Sequence, residues 1–167
     1  AQAGPVSEVH RNVRLRDVLD RAAQRLSDKQ IKRPNVEAAL RTTIGETYRG
    51  LGEFKLAELH LQKAYQLAVR LYGDDDTKSM EAANQLAAAL LGQAKYDEAN
   101  VLVNKTLQIA RRQLDKNDEL LLSSLTLRAA LHEAEDELGP AEKLLRTVVE
   151  RRTNSQGATH PETYRAM

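Results

Sequence analysis

Chemically versatile side chains cluster at a few places in this sequence: four histidines, an aspartate triplet, a Gly-x-Gly pair, two arginine pairs and some acidic runs. His10, His60, His132 and His160 fall in four separate segments, with no His-Glu-x-x-His motif and no histidine pair four residues apart. A metalloprotease-type zinc site needs that helical spacing, so they read as ordinary histidines. Asp74-Asp75-Asp76 lacks the alternating ligand spacing, the glycine and the closing glutamate of a calcium loop and reads as a solvated loop ending in a helix cap. Gly50-Leu51-Gly52 is a fragment of a dinucleotide motif without its strand and reads as a turn. Asp97-Glu98 and the Glu133–Glu137 run lie on helix faces, where no pocket surrounds them as carboxylate catalysis requires. Ser123 and Ser124 sit on a helix without an inferable His-Asp pair. There is no cysteine, hence no thiol nucleophile, disulfide or cysteine zinc site. Arg111-Arg112 and Arg151-Arg152 have no aromatic neighbours for base stacking, and 25 Lys+Arg against 24 Asp+Glu leaves no global pull on polyanions. The expectation is therefore no catalytic residue, no metal, no cofactor and no nucleic-acid partner, which leaves recognition by surface.

The elements that would carry such a surface are helical. Ala, Leu, Glu, Arg, Lys and Gln dominate, with eight Gly and four Pro in 167 residues. These are strong helix formers, and no β-branched run alternates with period two. The fold class read from this is all-α. The longest apolar run, Leu86 to Leu91, is six residues, far below the ~20 needed to span a bilayer, and no leader pattern is visible. No membrane contact by this chain and a cytoplasmic location are expected.

A repeat organises these helices. The segment from Gly52 aligns without gaps on the segment from Ala94, an offset of 42. Phe54 falls on Tyr96, Ala57 on Ala99, Leu61 on Val103 and Ala68 on Ala110. A second step of 42 reaches Ala129, Leu138, Ala141, Leu145 and Val148. Gly73, Asp115 and Gly157 share one phase, as do Asp76, Asp118 and His160. Helical composition alone does not hold small residues, an aromatic and loop residues in phase together. The pattern predicts helices at about 35–50 and 53–71, 77–92 and 95–113, then 119–134 and 137–153. Pro34 suits a first helical turn, Gly50-Leu51-Gly52 a tight turn, and Asp76 or Thr77 a cap.

The spacing of small and large positions resembles the tetratricopeptide repeat. Counted from Ala38, the first unit supplies Ile44, Gly45, Tyr48, Gly52, Phe54, Ala57, Leu61 and Ala64. Counted from Met80, the second supplies Leu86, Ala87, Leu90, Ala94, Tyr96, Ala99, Val103 and Thr106. The period of 42, instead of the usual 34, resembles the kinesin-light-chain-like subclass. The loop Gly157-Ala-Thr-His160-Pro161-Glu-Thr163 matches that subclass's connecting loop. The third unit departs: Arg128 takes the seventh position, where Leu is expected, His132 the eleventh, and Asp136 the glycine place. A buried Arg is costly unless paired, so a local shift or a guanidinium reaching the edge is expected. Residues 14–52 look like a junction in multidomain bacterial proteins, where a serine/threonine protein kinase domain precedes a repeat array. This chain itself carries no His-Arg-Asp or Asp-Phe-Gly motif.

The resemblance implies an α-solenoid of antiparallel helix pairs, the tetratricopeptide superhelix, over 34–167, with units starting near 38, 80 and 122 and a truncated fourth from about 161. Residues 1–12 are expected as a loose tail. In 13–33, Val13, Leu15, Val18, Leu19, Ala22, Ala23 and Leu26 make one face of a covering helix. The implied function is a protein-interaction scaffold, a piece of a larger protein, that binds a peptide or protein segment in the groove lined by each unit's first helix. A regulatory module of a parent kinase and a structural or self-assembly spacer are the alternatives. The inward positions are Thr42, Glu46 and Arg49 in the first unit, then Glu81, Asn84, Gln85, Ala88 and Leu91, then Ser123, Thr126 and Glu133. The Asn84 amide is placed to pair with both polar groups of a ligand backbone, Arg49 to hold a carboxylate and Leu91 to receive an apolar side chain. The glutamates favour a neutral or mildly basic ligand. Self-association is expected through the truncated C-terminal end, near Leu144, Leu145 and Val148.

Overall fold

The computed structural model describes residues 5–28 and 31–156, with side chains described at 15–26 and 31–155. Helix α1 spans Pro5–Asp28, α2 Pro34–Gly50, α3 Phe54–Tyr72, α4 Thr77–Leu91, α5 Tyr96–Gln113, α6 Glu119–Ala134 and α7 Leu138–Gln156. After α1 the helices form three antiparallel pairs, and no strand occurs among the described residues. Packing runs along the chain: each helix rests on its sequence neighbour, and in addition α2 touches α4 and α4 touches α6. This is an all-α solenoid. The fourth unit expected from about 161 lies outside the described residues.

The same 42-residue step recurs in the local chemistry that starts and stops each helix. Asp76 Oδ1 accepts from the Lys78 amide at 2.8 Å and Asp118 Oδ1 from the Leu120 amide at 2.9 Å, capping α4 and α6 in equivalent ways. Gly52, Ala94 and Asp136 occupy the turn within each pair, with φ of 77°, 58° and 61°. The turn demands a left-handed residue at this one place, and glycine fits it without strain. The second unit meets the demand with an alanine, which resists it, and the third with an aspartate, which tolerates it better.

Small residues let the paired helices approach. Ala57, Ala99 and Ala141, one per unit, are buried at the crossings. A Cβ on Gly45 would lie 2.5 Å from Leu61 Cγ and 3.2 Å from the Ala57 carbonyl oxygen. The core then runs through Leu61, Leu86, Leu90, Val103, Leu122 and Val148.

Helix α1 begins at Pro5, so residues 5–12, expected as a loose tail, are helical. Pro5 suits the first turn, and the polar composition of the segment masked that start. Among the described side chains of the face expected on α1, Leu19, Ala23 and Leu26 are buried and Leu15, Val18 and Ala22 are exposed, while Val13 lies outside them. Polar contacts complete its seat on the first unit. The Tyr48 hydroxyl donates to Asp20 Oδ1 at 2.5 Å, and Arg16 Nη1 reaches Glu53 Oε1 at 2.5 Å. Burial, reinforced by the Asp20 carboxylate, pushes the Tyr48 phenol well above its ordinary range. His60 stacks on Tyr48 with ring centroids 5.7 Å apart. Its burial, and then the charges of Arg41 and Lys63, hold it below the usual histidine value.

Candidate functional site

Along one side of the solenoid, α2 and α4 diverge over the C-terminal half of α3 and enclose a groove of about 570 Å³. Ala64 and Ala68 of α3 form a floor of small side chains, which leaves the room. Thr42 and Glu46 face in from α2, and Glu81 and Gln85 from α4, at the i, i+4 spacing that puts each pair on one helix stripe. The rim adds Asn35, Tyr72 and Lys78, which the helix-pair register did not single out. Lys78 Nζ sits 4.5 Å over the Tyr72 ring, a cation–π contact between the loop-flanking ends of α3 and α4. The arrangement offers carboxylates, an amide and hydroxyls above an apolar floor. That is chemistry for holding a backbone and a cationic side chain, and no nucleophile–base pair lies within it.

The other expected groove residues go elsewhere. Asn84 is buried, and its Nδ2 donates to Ser124 Oγ at 2.8 Å and Ser123 Oγ at 3.3 Å. The amide thus ties α4 to α6 and is not part of the α2–α4 groove lining. Its Oδ1 is buried without a partner. The reason is positional: the fifth place of a first helix points at the next unit's first helix, where two serines meet it. Ser123 and Thr126 donate to the carbonyls of Leu120 and Leu122 on their own helix. Leu91 is half-buried against the core, Ala88 is half-buried, and Arg49 is exposed outside the groove lining. Glu133 lines a separate hollow of about 790 Å³ on the outer face of α7, with Leu138, Leu145 and Val149. Leu144 packs on the core and Val148 is fully buried, so of the three residues expected at this edge only Leu145 opens onto the hollow.

The third unit's departures resolve into hydrogen bonds. Arg128 is half-buried and its Nη1 donates to Asn100 Oδ1, the edge-seeking solution. His132 Nδ1 meets Glu137 Oε2 at 2.5 Å, and Asn100 Nδ2 donates to Glu135 Oε1 at 2.8 Å. Among the described residues, His132, Glu135 and Glu137 are the side chains close enough together to share a metal ion, with ligand atoms within 4.8 Å of one another. Both carboxylates are exposed and already hydrogen-bonded, which is the arrangement of a solvated helix turn.

The family model for the tetratricopeptide repeat matches residues 36–112, covering nearly all of α2 to α5. The crystal structure of BtubC (BKLC) from P. vanneervenii is similar, with a TM-score of 0.71 at 14% sequence identity over 96% of this chain. At that identity the likeness is one of fold. This chain spans 65% of the length of that one. No curated protein sequence matches. The repeat phase, the helix pairs with alanine at each crossing and the family match converge on the same segment: residues 36–112 of this chain are built of tetratricopeptide repeats.

Proposed function

We propose that the chain is a protein-interaction scaffold whose α2–α4 groove holds an extended, neutral to mildly basic peptide segment. The observation that supports this reading is the convergence of Thr42, Glu46, Glu81 and Gln85 on one open groove with a small-residue floor. Glu46 and Glu81 attract a lysine or arginine of the ligand and repel acidic segments. Gln85 supplies a donor and an acceptor for its backbone. Asn84 acts one layer behind, fixing the spacing of α4 and α6.

Calorimetry with a peptide selected by display against this chain tests the reading. The double variant Glu46→Lys, Glu81→Lys should weaken a lysine-containing ligand by at least about tenfold and leave melting nearly unchanged, because Glu81 is exposed and Glu46 only half-buried at the groove wall. Equal affinity in the variant overturns the groove assignment. The hollow on α7 also supports self-association through that face. A sedimentation coefficient independent of concentration counts against it.

A further inference from the structure

The opposite side of the solenoid carries a second groove, in which α5 and α7 flank α6. It is a run of two adjoining hollows of about 530 and 360 Å³, which share Arg111 and Leu144. Four arginines (Arg111, Arg112, Arg128 and Arg151), with Lys116 and His132, converge on it, and no aspartate or glutamate lines it. Its floor is leucine: Leu107, Leu121, Leu125 and Leu144. Among the described residues no ion pair or hydrogen bond engages the side chains of Arg111, Arg112 or Lys116. Arg151 is spent on the Lys116 carbonyl at 2.9 Å, Arg128 on Asn100, and His132 on Glu137 at the rim.

The preceding unit provides an internal control. There, the equivalent groove between α3 and α5 is strapped shut: Lys105 Nζ reaches Asp74 Oδ1 at 2.6 Å and the Tyr65 hydroxyl at 3.5 Å. Forty-two residues on, Asp74 is replaced by Lys116, Lys105 by Thr147 and Tyr65 by Leu107, so no strap can form. Beneath it, the buried Leu86 and Leu90 of the second unit become Arg128 and His132. One step of the repeat therefore turns a closed apolar seam into an open cationic one.

We propose that the α5–α7 groove is a docking site for an acidic segment of a protein partner, with glutamates or aspartates alternating with leucine-like residues. The uncompensated guanidinium groups call for carboxylates, which arginine binds in bidentate fashion. The leucine floor calls for apolar side chains between them. A nucleic acid fits less well, because the lining holds no Phe, Tyr or Trp for base stacking and its one imidazole, His132, is held by Glu137. From Asn104 to Leu114 the groove runs roughly 15 Å along α5, enough for about four or five extended residues. The site is separate from the α2–α4 groove and selects the opposite charge.

The test is fluorescence anisotropy with a fluorescein-labelled octapeptide of alternating glutamate and leucine. A lysine–leucine octapeptide and oligouridine are run alongside, and inorganic phosphate serves as competitor. The acidic peptide should bind, weaken with added salt, and lose roughly tenfold in affinity in the Arg111→Gln, Arg112→Gln variant. Both side chains are exposed, so circular dichroism should show an unchanged melt. Rebuilding the strap with Lys116→Asp, Thr147→Lys should abolish binding. Affinity unchanged in both variants overturns the proposal, as does absent binding of the acidic peptide, tighter binding of oligouridine, or full displacement by millimolar phosphate. The Glu46→Lys, Glu81→Lys variant should retain the acidic peptide, so this site and the α2–α4 groove fail independently.

Discussion

The second and third units share a backbone plan and differ in what they make of it. At one register position Leu86 is fully buried where Arg128 is half-exposed and hydrogen-bonded to Asn100. At another, Leu90 is core where His132 meets Glu137 at the surface. The helices nevertheless start, cap and cross in the same way, with Asp76 and Asp118, and Ala99 and Ala141, in matched roles. The repeat's architecture is thus carried by caps, turns and small crossing residues. The large positions on the α5–α7 side are free to trade packing for charge.

The sharpest way to break that comparison is to truncate the matched pair. Leu86→Ala should cost about 2–5 kcal/mol, the transfer and cavity terms of a fully buried leucine. Arg128→Ala should cost less than about 1 kcal/mol, because its guanidinium sits at the edge. Urea-denaturation midpoints read both. Equal losses would make Arg128 a packing residue and close the groove assigned above.

A smaller effect is expected at the left-handed turn. Ala94→Gly should stabilise by up to about 1 kcal/mol, the left-handed cost of an alanine at φ of 58° less the extra chain entropy that a glycine loses on folding. Asp136→Gly should gain less, because a short polar side chain tolerates this region better than alanine does. A thermal melt of the two variants side by side decides it. No gain from either means that the turn is held by its neighbours and not by its own φ.

The smallest effect concerns the first unit, where His60 stands at the register of Leu102 and Leu144. Its folded-state affinity for a proton is lowered by burial and by Arg41 and Lys63. The unfolded chain therefore binds the proton first. Stability is full above pH 6.5 and falls as pH drops below it, toward the depressed folded value. His60→Gln should flatten the dependence of melting temperature on pH between about 7.5 and 5.5. A wild-type slope that survives the substitution would assign the effect to other groups.

Much of this fold is legible in the sequence because the same signals occur two or three times in phase. The helix starts expected at 35, 53, 77, 95, 119 and 137 lie within one residue of those observed at Pro34, Phe54, Thr77, Tyr96, Glu119 and Leu138. The groove is legible only in part. The register puts Thr42, Glu46, Glu81 and Gln85 on one side, where they line one groove, since helical periodicity alone decides which stripe they share. It cannot decide Asn84, whose surroundings depend on how closely α6 approaches α4 and on the serines α6 presents there. The cationic groove is illegible for a related reason. Arg111 and Arg151 are 40 residues apart and read as two isolated pairs until α5 and α7 flank the same leucines.

The contact pattern around α4 has a consequence for motion. This helix packs against α2, α3, α5 and α6, whereas α1 touches α2 and α7 touches α6. In a linear stack, opening proceeds inward from the ends, and each layer lost exposes the next. The amides of α4 should therefore be the last to exchange with deuterium, and those of α1 among the first. Because α4 forms one wall of the α2–α4 groove while α5 to α7 build the other, the slowest element belongs to the first surface only. A partner seated between α5 and α7 would slow exchange most in α7, carrying protection away from α4 along the stack.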